Sequence, residues 1–334
     1  MKKLLVLCVF LMALSLVLPF TIQGQEIAVV VKIGGIPWFN RMEVGVKQAA
    51  KDFGVNAYQV GAATADPAAQ VALVEDLVSR RVKAICVVPN DAKSLEPVFT
   101  RARRQGIVVL THESPFETGA VDYDVETIDS VEFGKNNINA IVRELVESGE
   151  KYTERNPAGY VMLVGSLTVP LHNFWADVAV EYAKTYFPFL KELTSRLPTA
   201  ESVEDSRAAV LDLITTYGDR FKAVIGWGSL GPIGAAQAVT EKRLQDKVIV
   251  VGDAIPSTVV PYLRTGAVDF AQLWDPKDAG YAMVYIAKQM IEGKKIESGM
   301  NIPGMGPISI QGKVISVNAI KLMRTAEEAA ALGF

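Results

Sequence analysis

Apolar, largely β-branched runs recur at residues 27–33, 55–60, 84–88 and 107–110, and between them lie segments whose apolar positions return with a helical period, at residues 39–53, 67–81 and 95–105. Runs that stay apolar instead of alternating belong to strands covered on both faces, as in a parallel sheet packed between helices. Local punctuation agrees with this division: Asp66-Pro67 reads as an N-cap followed by proline in the first turn, and Gly54 and Gly106 stand where a helix end needs a left-handed residue. The pattern then restarts. Strands are expected at residues 160–164, 223–225, 248–251 and 268–273, with helices at 131–146, 175–186, 203–216 and 232–243. Two successive open α/β sheets, hence two lobes, follow from this order. No flexible Gly/Ser tract separates them, so the connection is expected to be a close, structured hinge with its first strand in residues 118–127.

The first residues carry a different signal. Lys2 and Lys3 precede an apolar run over residues 4–17, and Pro19 and Gly24 supply the break and small residue of an export signal cleaved near Gly24. That run is shorter than the roughly 20 residues a membrane-spanning helix needs. Cys8 lies inside the apolar run, too early to carry a lipid. The 334 residues hold 34 Lys and Arg against 37 Asp and Glu, and loss of Lys2 and Lys3 makes the balance more acidic, which argues against a nucleic-acid partner. Cys86 is the one cysteine left after cleavage, so no internal disulfide forms, and its apolar surroundings predict a core residue.

In open α/β sheets, ligands bind beyond the carboxyl ends of the strands. Those ends carry Lys32, Trp38 and Phe39; Asn90 and Asp91; His112 and Glu113; the segment 166–173 with His172 and Asn173; Trp227 and Ser229; Asp253; and Gln272, Trp274 and Asp275. Planar polar groups beside aromatic rings suit a neutral polyhydroxylated ligand, whose hydroxyls seek amides and carboxylates while its ring face seeks an aromatic plate. Each candidate also has a purely structural reading. Trp38, Phe39, Trp175 and Trp227 could be core; Lys32 and Glu113 could be ion-pair partners; Asp253 could brace the hinge; Asn90, Asp91 and Asp275 could cap helices. Two distant histidines without HExxH or a cysteine pair give no metal site. Gly226-Trp-Gly-Ser-Leu-Gly231 matches the dinucleotide fingerprint, but its place in the second lobe and Pro232 behind it favour a loop that lets backbone approach a small ligand. With no G-x-S-x-G elbow, P-loop or marked acid/base pair, no catalytic residue and no cofactor is assigned.

Ile36-Pro-Trp-Phe39, Asp66-Pro-Ala-Ala-Gln70, Val88-Pro-Asn-Asp91, Pro261-Tyr262 with Gly266, and Leu273-Trp-Asp-Pro276 with Gly280-Tyr281 occur in this order over nearly the whole chain. In this the sequence resembles the type I periplasmic solute-binding proteins of ABC importers, in the ribose, rhamnose and autoinducer-2 branch. The resemblance implies two Rossmann-like lobes with parallel sheets joined by a three-crossover hinge, with residues 25–115 and 254–273 in one lobe and 116–253 and 274–334 in the other. It implies that Trp38 and Phe39 clamp a sugar ring, that Glu113 fills an acidic position, and that Gln272, Trp274 and Asp275 contact ligand. It further implies a periplasmic, monomeric receptor that passes a small sugar to an ABC permease and has a chemoreceptor as a second partner. Lys32 matches a lysine of autoinducer-2 receptors, but Leu171 and His172 stand where those receptors carry Asp-Gln, and Trp227-x-Ser229 replaces Pro-x-Ala. Gly252-Asp253-Ala254 replaces the Gly-Phe-Asp of ribose binders. The function expected is therefore capture of a monosaccharide or deoxysugar. The alternatives are autoinducer-2 reception and an exported sugar-processing enzyme. A sugar-responsive repressor of the same fold would need a DNA-binding segment where the export signal stands.

Overall fold

The computed structural model describes residues 26–115, 118–317 and 319–334. The expected export signal and Cys8 lie outside the described residues. Strand and helix alternate from the first described residue: β1 (Glu26–Val31), α1 (Pro37–Phe53), β2 (Asn56–Gly61), α2 (Pro67–Ser79), β3 (Ala84–Val87), α3 (Ala92–Arg104), β4 (Val108–Thr111) and β5 (Tyr123–Glu126). A second series follows: α4 (Ser130–Glu147), β6 (Ala158–Leu163), α5 (Pro170–Tyr186), β7 (Leu190–Glu192), α6 (Val203–Tyr217), β8 (Phe221–Gly226), α7 (Gly231–Lys242), β9 (Ile249–Asp253), α8 (Pro256–Arg264) and β10 (Phe270–Leu273). The chain ends with α9 (Pro276–Ile291), β11 (Asn301–Ile302), β12 (Gly306–Pro307), β13 (Ser309–Gln311), β14 (Val314–Ser316), β15 (Lys321–Met323) and α10 (Ala326–Ala331).

Apart from β11 and β12, which pair only with each other, these strands form two large sheets, ordered β13-β14-β5-β4-β3-β1-β2 and β15-β10-β9-β8-β6-β7. Pairing is parallel except at the β13–β14 and β10–β15 edges. The α/β, two-lobed fold is thus the one the apolar runs predict, and β1, β3 and β6 are buried at almost every residue, as a covered parallel sheet requires.

The chain passes between the sheets three times: after β5, after β10, and between β14 and β15. The partition of the lobes differs from the expected one. Residues 254–273 hold α8 and β10, which extend the second sheet because β10 pairs in parallel with β9. Conversely, α9 packs on α1, and β13 and β14 extend the first sheet, so much of 274–334 belongs there. β5 also pairs with β4, so the first lobe runs past residue 115. Parallel strand order continues through β10 before the chain crosses, and that adjacency outweighs sequence position.

Two glycines set the α1–α9 contact. A Cβ on Gly45 would lie 1.9 Å from the Lys277 carbonyl oxygen, and one on Gly280 would lie 2.5 Å from that of Met42. The helices therefore meet backbone to backbone. This fixes Trp38, in the first turn of α1, against Trp274, which immediately precedes α9. Asp66, Asp91 and Asp275 cap their helices as expected, accepting from Ala68, Ser94 and Lys277 backbone N–H groups. Cys86 is buried in β3, and burial raises its thiol pKa. No described helix is long and apolar enough to cross a membrane.

Candidate functional site

The carboxyl ends of β1, β4, β6, β8 and β9 converge between the lobes. Lys32 follows the last apolar residue of β1 and is 2 % exposed. Its ammonium lies 2.7 Å from Glu113 Oε2, 3.1 Å from His172 Nε2 and 3.7 Å from Glu201 Oε1. The first partner belongs to its own lobe and the other two to the opposite one. Glu113 adopts a left-handed backbone conformation, φ 61°, which non-glycine residues seldom take. Beside it, His112 Nδ1 donates to the Val125 carbonyl at 2.6 Å, tying the end of β4 to β5.

Trp38 and Trp274 meet edge to face with ring centroids 4.9 Å apart. Trp274 continues into Phe133 and Trp175, and Trp175 stacks on His172 at 5.6 Å and leans on Trp227 at 6.0 Å. This lattice is the apolar wall of the site, with Trp175 behind it rather than facing the cavity.

Nine of the candidate site residues line one cavity: Lys32, Trp38, Phe39, Glu113, His172, Trp227, Ser229, Asp253 and Trp274. Ile36, Glu201 and Gly228 complete the lining. The cavity measures about 20 Å³, room for about one water molecule. The lobes are closed on one another, and a cross-lobe bond from Thr168 Oγ1 to the Asn90 carbonyl, 3.1 Å long, marks the rim.

Asn90, Asn173, Gln272 and Asp275 serve the frame instead. Asn90 donates through Nδ2 to the Lys32 carbonyl at 2.9 Å, and its N–H donates to Gln70 Oε1 at 2.8 Å, so it braces the ends of β1 and β3. Asn173 donates to the Ser166 and Val169 carbonyls and accepts from Arg196, on the first turn of α5. Gln272 is fully buried, donating to the Phe133 carbonyl and accepting from Asn136 Nδ2, which pins β10 to α4. Asp275 accepts from Nε and Nη2 of the Arg41 guanidinium at 2.9 and 2.6 Å while capping α9. Each of these amides and carboxylates is consumed by the backbone or a cation beside a strand end.

Glu201 is the residue that strand-end reasoning missed. It sits just before α6, in the loop that forms an isolated parallel bridge from Leu197 to Leu163. The short edge strand β7 gave no apolar run, so nothing placed this loop beside the cleft. The Gly226–Gly231 loop does approach the cavity, through Gly228, while a Cβ on Gly226 would meet the Pro232 ring at 2.4 Å. That packing leaves it no character of a phosphate cradle.

The cavity's charges are unbalanced. Burial acts against the Lys32 ammonium, but Glu113, Glu201 and Asp253 outweigh it and hold the pKa above the ordinary lysine value. Burial pushes Asp253 well above the usual carboxylate range, with Glu113 adding to the rise and Lys32 opposing it. Burial likewise raises Glu201, against the pull of Lys32. Burial, then Lys32, hold His172 well below the usual imidazole pKa, so its ring is neutral at pH near 7. Because His172 Nδ1 accepts from the Gly165 N–H at 3.1 Å, the ring proton resides on Nε2, the atom facing Lys32. Two donors therefore oppose each other. Asp253 Oδ1 and the indole nitrogens of Trp227 and Trp274 are buried without a hydrogen-bond partner. No three His, Cys, Asp or Glu side chains are grouped to hold a metal ion among the described residues.

Comparison with known proteins gives the same architecture. The D-xylose-binding periplasmic protein of Haemophilus influenzae is 20 % identical over 276 residues, covering 78 % of this chain and 79 % of that protein. The structure of LsrB from Clostridium saccharobutylicum in complex with AI-2 superposes with a TM-score of 0.85 at 20 % identity, covering 92 % of this chain and 100 % of that one. An ABC transporter solute-binding protein from Clostridium phytofermentas with bound L-rhamnose gives a TM-score of 0.81 at 20 % identity, covering 92 % and 99 %. The family model described as a periplasmic binding protein domain matches residues 27–295, and with two parallel-sheet lobes closed over a polar and aromatic cavity, the chain belongs to the periplasmic binding protein family.

Proposed function

We propose that this protein is an exported receptor that captures a small sugar between its lobes and delivers it to an ABC permease, acting in the periplasm and catalysing no reaction. The observation that carries the reading is the set of unmatched polar groups against aromatic plates. A hydroxyl oxygen between Lys32 and His172 Nε2 would accept from both donors, and a hydroxyl proton would serve Asp253 Oδ1. Trp38, Phe39 and Trp227 line the cavity and would supply aromatic surface for the apolar side of a pyranose or furanose. Since the closed cavity holds no sugar-sized space, entry requires the lobes to separate and the Lys32 contacts to His172 and Glu201 to part, the hinge closure expected of such a receptor.

Titration with a panel of pentoses, hexoses and deoxyhexoses, followed by tryptophan fluorescence and thermal unfolding, is expected to give a saturable response to at least one of them. A complete panel without response in either measurement refutes the reading. Recovery of the bound sugar unchanged after incubation separates a receptor from a sugar-processing enzyme. The burial of Lys32 in the site favours a second reading as an autoinducer-2 receptor, and the same titration with autoinducer-2 decides it.

A further inference from the structure

The sugar-receptor reading leaves the charge of the cleft unexplained, and the inference drawn here rests on that reading. Lys32 is the one cation among the lining side chains, facing the carboxyl groups of Glu113, Glu201 and Asp253. Its close partner is Glu113 at 2.7 Å; Glu201 stands off at 3.7 Å. Asp253, 3 % exposed, has an Oδ1 with no partner at all. His172 brings no charge, and Arg41 is engaged outside the cavity by Asp275.

A neutral sugar would supply hydroxyl protons to these oxygens but no charge, leaving buried carboxylates in excess of cations. An ammonium group supplies both: a positive charge and three donors that two carboxylates can share. With no metal-holding group of side chains among the described residues, the cation that fits is an organic one. We propose that the ligand is a monosaccharide bearing a protonated amine, with Asp253 and Glu201 as its counter-ions. Burial raises the carboxyl pKa of both residues, and a bound ammonium would oppose that rise by favouring their charged form.

Isothermal titration at pH near 7 with amino-deoxy hexoses, their parent hexoses and their N-acetyl derivatives tests this, because acetylation keeps the nitrogen and removes the charge. At least one amino sugar is expected to bind about tenfold or more tightly than both its parent and its N-acetyl form. Asp253→Asn or Glu201→Gln should abolish that preference, the amino sugar losing at least about tenfold more affinity than its parent hexose. Thermal unfolding checks that each variant is folded, and the comparison of the three sugar forms on the unmodified protein stands without them. Equal or tighter binding of parent sugars overturns the inference and leaves the sugar receptor intact. A preference that survives both substitutions in folded protein overturns the assignment of the counter-ions. Failure of every sugar, aminated or not, overturns both readings together.

Discussion

Replacing Lys32 by methionine keeps most of the side-chain volume and removes the one cation that Glu113, Glu201 and Asp253 share. Removing one partner of a buried pair costs about 3–5 kcal/mol because the other charge is left uncompensated. The cost must depend on pH, and its direction follows from Glu201 and Asp253. Burial already raises both carboxyls in the folded protein, and Lys32 is the group that opposes the rise. Without it their folded values climb further above the unfolded ones. A carboxyl raised in this way contributes stability at pH below its unfolded value and loses it as pH rises through the folded value, at up to about 1.4 kcal/mol per pH unit for each group. At about 2–4 °C per kcal/mol, Lys32→Met should lower Tm by on the order of 10 °C at pH 8 and by much less at pH 5. Differential scanning calorimetry of both proteins at the two pH values measures this. A deficit equal at both, or larger at pH 5, would refute the electrostatic account of the site.

Trp38→Ala should weaken sugar binding at least about tenfold, roughly 1.4 kcal/mol, if its ring stacks on the ligand; unchanged affinity in folded protein contradicts that role. Thr168→Val removes the rim bond to the Asn90 carbonyl that exists only between closed lobes. It should cost about 1 kcal/mol and reduce apparent affinity roughly fivefold, read by fluorescence titration. Glu113→Gly and Glu113→Ala both delete the carboxylate, but only glycine accepts φ 61° without strain. The glycine variant should therefore unfold at the higher temperature, by about 1–2 kcal/mol of stability, and a more stable alanine variant would show that this backbone is not strained.

The apolar runs revealed both sheets because a strand buried on two faces has to be apolar throughout, as in β1 and β3. The same rule hid β7 and the two-residue strands β11 and β12, which are short and partly exposed. Lobe membership was not legible, since nothing in the composition of residues 254–273 marks which sheet β10 will join. At the site, position after a strand found Lys32, Glu113 and Asp253, because carboxyl ends of parallel strands point into the cleft. It could not separate a ligand-facing amide from a bracing one. Asn90 and Gln272 follow or end strands as Asp253 does, yet their hydrogen bonds close on backbone carbonyls, a matter of a few ångströms that residue type does not encode. Glu201 was invisible for the opposite reason: it reaches the cavity from a loop whose strand carries no apolar signature.

The central claim is that one small polyhydroxylated ligand sits between the lobes, held by Lys32, Glu113 and Asp253. Isothermal titration across a panel of neutral and amino sugars with autoinducer-2 included tests it most directly. The expected result is saturable binding of one molecule per chain, lost when Glu113 is replaced by glutamine in a protein that still folds. Absence of binding heat for every member of the panel, or binding indifferent to Glu113, would contradict it.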